Sequence, residues 1–144
     1  GPFSAFPGVQ RWFTVLEGAG VVLGFGGAGR ALTATSAPLG FDGASAPACH
    51  LIDGPTRDLN LMARQEAGQA RMLPATAGEA APEPARWRGL YAATEAVLAT
   101  PQGRLTLPAG SLAWSDTPAP SWRFEAAAGA TVPRAWWLVL HGHA

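Results

Sequence analysis

The chain has 144 residues, 48% of them hydrophobic, which is long enough for one buried core and too apolar for a disordered polypeptide. Its 18 glycines and 13 prolines favour short strands joined by tight turns over long helices. Ten basic against ten acidic residues leave a formal charge of zero, so no long-range field attracts a nucleic acid or an anionic membrane.

All the cations are arginines, planar forks suited to carboxylates, although the abundance of Ala, Gly, Pro and Arg also fits a simple compositional bias. Cys49 is the single cysteine, so no internal disulfide and no multi-cysteine zinc site can form, and a reducing compartment is the simpler expectation. The start carries no basic leader with a long apolar stretch, and no apolar run approaches a membrane span. A cytoplasmic location is expected.

In chain order, Arg11-Trp12-Phe13-Thr14-Val15-Leu16 is rich in aromatic and β-branched residues and leads through Glu17-Gly18-Ala19-Gly20 into Val21-Val22-Leu23, a predicted hairpin. Residues 30–35 suggest a third strand and residues 49–52 a fourth, ended by Asp53-Gly54-Pro55. Asp58-Leu59-Asn60-Leu61-Met62-Ala63-Arg64 alternates with period two, which puts Leu59, Leu61 and Ala63 on one face and Asp58, Asn60, Met62 and Arg64 on the other. Residues 78–84 read as an exposed loop separating two related halves of one barrel. Further short strands are predicted over residues 87–92, 96–98, 104–107, 111–114, 122–126 and 135–140, with residues 89–100 the only stretch ambiguous with a helix. Evenly spaced short strands without intervening helices predict an all-β sandwich, jelly roll or barrel.

Several motifs suggest chemistry that the pattern around them does not support. Gly24-Phe25-Gly26-Gly27-Ala28-Gly29 fits G-x-G-x-x-G, but no helix can follow before Ser36 and Pro38, so a glycine hairpin is expected instead of a dinucleotide site. Cys49 and His50 are adjacent and would point to opposite faces of a strand, which argues against a direct thiol–imidazole dyad and for Cys49 packing as a small apolar group. His141-Gly142-His143 has the spacing of a metal-binding pair but lacks a following carboxylate and sits at the chain end, so no metal and no cofactor is expected. The six tryptophans are assigned to core or rim packing.

The polar face of residues 58–64 is the strongest constellation. Turned inward, Arg64 would clamp a carboxylate, Asn60 would donate and accept, and Asp58 would orient Arg64 or bind an amine; turned outward, all three are solvated surface groups. Arg11 has the same two readings, a second anion donor or a surface residue.

Gly1-Pro2-Phe3-Ser4-Ala5-Phe6-Pro7-Gly8-Val9-Gln10-Arg11, Leu16-Glu17-Gly18, Phe41-Asp42-Gly43 and residues 54–64 together resemble the HutD/Ves family, with Ala135-Trp136-Trp137-Leu138 a weaker match in the second half. The resemblance implies a cupin-like (RmlC-like) jelly-roll barrel of short antiparallel strands, formed as a single domain over residues 1–144. It also implies a cytosolic bacterial protein associated with histidine utilisation, with a regulatory or ligand-sensing role. A formylated or formiminated glutamate would suit Arg11 and Arg64. Family members carry a further amino-terminal segment with a Pro-Trp-Lys-Asn-Gly-Gly-Gly-like motif before Gly-Pro-Phe-Ser, so part of the family domain is expected to be absent. A missing strand would favour pairing with a second copy as a homodimer.

The expected function is therefore non-enzymatic binding of a small-molecule carboxylate through Arg11, His50, Asp58, Asn60 and Arg64. The alternative is a hydrolase or isomerase of a histidine-pathway intermediate using His50 or Asp58 as acid or base. A third reading is a partner domain whose barrel is filled.

Overall fold

Alternation along the first strand shows how the fold begins. In the computed structural model, β1 (Val9–Glu17) buries Phe13 and Val15 on one face, while Trp12 and Thr14 belong to the other. The structure describes residues 1–117, 121–129 and 132–142. Within these every regular element is a strand except one 3-10 turn at Gln65–Ala67. Among the described residues no helix is long and apolar enough to cross a membrane.

The chain divides into two compact units, Gly1–Ala70 and Arg71–Ala144. The first contains β1, β2 (Val21–Phe25), β3 (Ala28–Leu32), β4 (Leu39–Asp42), β5 (Ala48–Leu51) and β6 (Arg57–Arg64). Two antiparallel sheets result, ordered β4-β1-β6 and β3-β2-β5. Phe13, Val15, Val21, Leu23 and Leu32 form the core, with Phe3, Phe25, Leu39, Phe41 and Cys49 packed against it.

β7 (Gln69–Pro74) leads into the second unit, which continues with β8 (Trp87–Ala92), β9 (Ala96–Thr100), β10 (Gly103–Leu107), β11 (Ser111–Ser115), β12 (Arg123–Ala126) and β13 (Ala135–His141). Its sheets are ordered β11-β8-β13-β7 and β10-β9-β12. The two units therefore share one winding. Counting the second unit from β8, the first strand of each set lies between its fourth and sixth and the second between its third and fifth, and β7 adds an edge strand beside β13. The all-β, antiparallel architecture is consistent with the expected cupin-like fold, and the repeat of strand order is its two related halves.

Two expectations are corrected. The division falls at Ala70, not within residues 78–84, because the chain between these points is already committed to β7. Residues 78–84 are also not simply an exposed loop. Gly78 and Ala81 donate backbone hydrogen bonds to the carbonyls of Phe124 and Trp122, and Ala81 is buried in the second core. Residues 89–100 are two strands, and Gly24 to Gly29 is the expected hairpin, with Gly26-Gly27 as its two-residue turn between Phe25 and Ala28.

Candidate functional site

The register of β1 against its neighbours decides which face of β6 looks where. Arg11, Phe13 and Val15 pair with Met62, Asn60 and Asp58, and directly paired residues lie on the same side of a sheet. Because Phe13 and Val15 are core residues, the polar face of β6 is on the core side of its sheet. β6 is nevertheless an edge strand, so Asp58, Asn60, Met62 and Arg64 remain exposed along a rim. Leu59, Leu61 and Ala63 are half-buried on the other face, with Leu61 beside Trp12.

Arg11 is the centre of this rim and is only 7% exposed. Its Nη2 donates to Asn60 Oδ1 at 3.1 Å, and its Nη1 reaches the Ser4 carbonyl at 3.4 Å. The guanidinium carbon stands 4.8 Å from the centre of the Phe3 ring, 5.4 Å from that of Phe41 and 5.7 Å from that of Phe6. Such contacts stabilise a cation through the ring quadrupole. They do not neutralise it. Among the described residues no carboxylate lies in salt-bridge range of Arg11, and its buried Nε has no partner. Burial pushes the guanidinium below its ordinary pKa. A desolvated cation with one idle donor, beside an amide and a ring wall, is an arrangement that an anion completes.

The aromatic wall comes from four separate segments. Phe3 contacts Phe13 with ring centres 5.4 Å apart and stacks on Phe41 at 6.4 Å, and Phe41 meets Phe25 edge-on at 5.5 Å. The amino-terminal segment that supplies Phe3 and Phe6 is held by backbone hydrogen bonds from Phe3 N to the Pro47 carbonyl and from Phe6 N to the Gly43 carbonyl. Phe3, Phe6 and Phe41 were all visible as family motif residues, but nothing in the sequence alone placed them around Arg11.

Asp58 is two residues from Asn60 on the same face and lies near Cys49. Burial first, then the negative charge of Asp58, pushes the Cys49 thiol above its ordinary pKa, with the amino terminus acting in the opposite direction. Cys49 pairs with Leu23 and packs against the first core, as expected for a small apolar group.

The remaining candidates stand apart. His50 pairs with Val22 and is exposed on the face opposite Cys49, so it does not join the Arg11 group. Arg64 is 80% exposed in its side chain and pairs with Glu66 at 3.7 Å. Six residues of strand, about 20 Å at roughly 3.3 Å each, separate it from Asp58, which therefore does not orient it. His143 lies outside the described residues. His141 meets the Pro84 carbonyl through Nδ1 at 2.5 Å, and among the described residues no group of three or more metal-ligating side chains forms.

No curated protein matches the chain. The structure of HutD from Pseudomonas fluorescens SBW25 (formate condition) is similar at 25% identity and a TM-score of 0.81, covering 100% of this chain and 74% of that one. The conserved protein of unknown function PA5104 from Pseudomonas aeruginosa PAO1 is similar at 26% identity and a TM-score of 0.82, covering 100% and 78%. AerE from Microcystis aeruginosa shares the fold, with 10% identity and a TM-score of 0.61 over 97% of this chain and 81% of that one. The HutD family profile matches residues 1–133, and the chain belongs to the HutD family.

Proposed function

We propose that the protein binds a small carboxylate without transforming it and serves a regulatory or sensing role in histidine utilisation. Arg11 is the anion donor, Asn60 fixes the orientation of the bound carboxylate, and Asp58 takes the nitrogen-bearing end of the ligand. The observation that carries this reading is the buried Arg11 guanidinium with an unpartnered Nε and no carboxylate of its own. Asp58 and Asn60 stand about 7 Å apart along the strand, a span suited to a ligand with a formyl or formimino nitrogen several bonds from a carboxylate. A formylated or formiminated glutamate has that form. Arg64 and His50 are not part of this site.

Calorimetric titration with N-formyl-L-glutamate and N-formimino-L-glutamate tests the proposal. Binding to the native protein is expected, with Asn60→Ala weakening it at least about tenfold, or 1.4 kcal/mol, and Arg11→Met abolishing it. Equal affinity in both variants would refute the assignment. Product formation seen by NMR during the same incubation would replace binding with catalysis as the function.

A further inference from the structure

The second unit carries two opposite charges around one cavity, and no ion pair joins them. The start of β12 sets Arg123 in a transverse row between Ala99 of β9 and Ala80, each its direct partner. Two such small neighbours leave room beside the guanidinium. A cavity of about 440 Å³ opens there, lined by Ala80, Glu83, Ala99, Pro101, Trp122 and Arg123 among others. Small-molecule sites occupy roughly 300–1,000 Å³, so the space suits a compact solute.

Both charges are positioned by the chain around them. Arg123 Nη1 donates to the Gly78 carbonyl. Glu125, two residues along on the same face, is taken by Arg104 instead, so among the described residues Arg123 has no carboxylate. Glu83 sits on a segment fastened on either side of it. Ala81 N donates to the Trp122 carbonyl at 2.9 Å, and the Pro84 carbonyl meets His141 Nδ1 at 2.5 Å. The Glu83 carboxylate has no cation in salt-bridge range among the described residues. Trp122 is only 7% exposed, yet its indole nitrogen is not sealed and meets no acceptor among the described residues. An indole N–H buried this deeply usually finds a partner. Here a donor is left over on a ring that lines the cavity.

We infer that this cavity binds a free α-amino acid with an apolar side chain. Arg123 takes the carboxylate with the part of its fork that Gly78 leaves open, Glu83 takes the ammonium, and Trp122 Nε1 donates to a carboxylate oxygen. Ala80, Ala99 and Pro101 give the side chain an apolar wall. The two charges together select a zwitterion. Glu83 opposes a simple anion, including the carboxylate ligand of Arg11, and Arg123 opposes a simple cation. A saccharide would need an open aromatic face on which to stack, and Trp122 offers almost none. The site belongs to the second unit, whereas Arg11 belongs to the first. Because Glu83 and Arg123 are both exposed, solvent screens each contact, and the Kd is on the order of 1 mM.

Titration of the full chain with L-leucine, followed by NMR of the tryptophan indole N–H resonances, is the test. Saturable binding is expected, with one indole resonance shifting, and N-acetyl-L-leucine and L-leucinamide, which each lack one of the two charges, should bind at least about tenfold more weakly. Glu83→Gln and Arg123→Gln should each raise the Kd for L-leucine by a similar factor, while Arg11→Met leaves it unchanged. Arg123 also holds Gly78, so Glu83→Gln decides the matter should Arg123→Gln disturb the sheet. No binding of L-leucine at tens of millimolar overturns the inference, as does equal binding of the acetylated and amidated forms. Binding that survives Glu83→Gln but is lost in Arg11→Met also overturns it, since the amino acid would then occupy the first unit.

Discussion

Arg88 on β8 is 1% exposed, and its two terminal nitrogens donate to the carbonyls of Thr117 at 2.8 Å and Ala85 at 2.7 Å. It acts as a brace between two loops through those two nitrogens, while its Nε, like that of Arg11, has no partner. Arg11 is buried almost as deeply, but its fork meets a rim amide, one distant carbonyl and three rings. The two arginines should therefore respond differently to the same substitution. Arg88→Met strands two carbonyls and should cost about 2 kcal/mol, a fall in Tm of roughly 4–8 °C for a chain of this size. Arg11→Met exchanges a desolvated charge for an apolar chain among phenylalanines. The lost cation–π attraction, about 0.5–2 kcal/mol, is offset by the removed desolvation penalty. Its Tm should stay close to native while anion binding disappears. Thermal melts of both variants with and without N-formyl-L-glutamate check this contrast; a large loss of stability in Arg11→Met would make Arg11 a structural brace too.

The elements around Arg11 depend on one glycine. Gly43 donates from its nitrogen to the Val9 carbonyl at 2.6 Å and accepts from Phe6 N at 2.6 Å, fastening the amino-terminal segment to the end of β4. A Cβ there would stand 2.5 Å from the Val9 oxygen and 2.7 Å from the Phe6 oxygen, both backbone atoms that cannot swing aside. Gly43→Ala should destabilise by about 1–3 kcal/mol and weaken ligand binding, because the Phe6 ring is drawn off Arg11. Calorimetry at a temperature where the variant remains folded separates the two effects, and unchanged affinity would show that this segment does not shape the site. At this scale much was legible in the sequence. The period-two pattern of residues 58–64 identified β6 and its two faces, and the opposed directions of Cys49 and His50 followed from strand geometry. The glycine hairpin was legible because a helix had no room to start. The surroundings of Arg11 were not legible, since Phe41 and Asn60 meet it through the register of β1 with β4 and β6, and Phe3 and Phe6 through the backbone hydrogen bonds that hold the amino-terminal segment. Local periodicity carries no information about register. It could not tell that a polar face may lie on the core side and still be exposed, which is what an edge strand allows.

Across the whole molecule, one strand order is used twice with different interiors. The first unit surrounds Arg11 with rings and leaves Asp58 and Asn60 exposed along its rim. The second is filled. Leu90, Leu98, Phe124 and Trp137 are fully buried against one another, Trp122 is nearly so, and the Trp137 Nε1 donates to Glu79 Oε1 at 3.1 Å. Arg88, its buried cation, has both terminal nitrogens occupied. Packing at interior density leaves the core between its sheets no space for a solute without displacing large side chains, and overpacking of a filled core costs about 1–3 kcal/mol; the cavities of this unit, about 440 and 330 Å³, open at its surface beside Trp122. A repeated fold therefore does not imply a repeated site. Titration of the native chain with the carboxylate ligand should give a stoichiometry of one per chain, and Arg88→Lys should leave that number unchanged while Arg11→Met removes all binding. Two equivalents, with the second lost in Arg88→Lys, would instead place a working anion site in each unit.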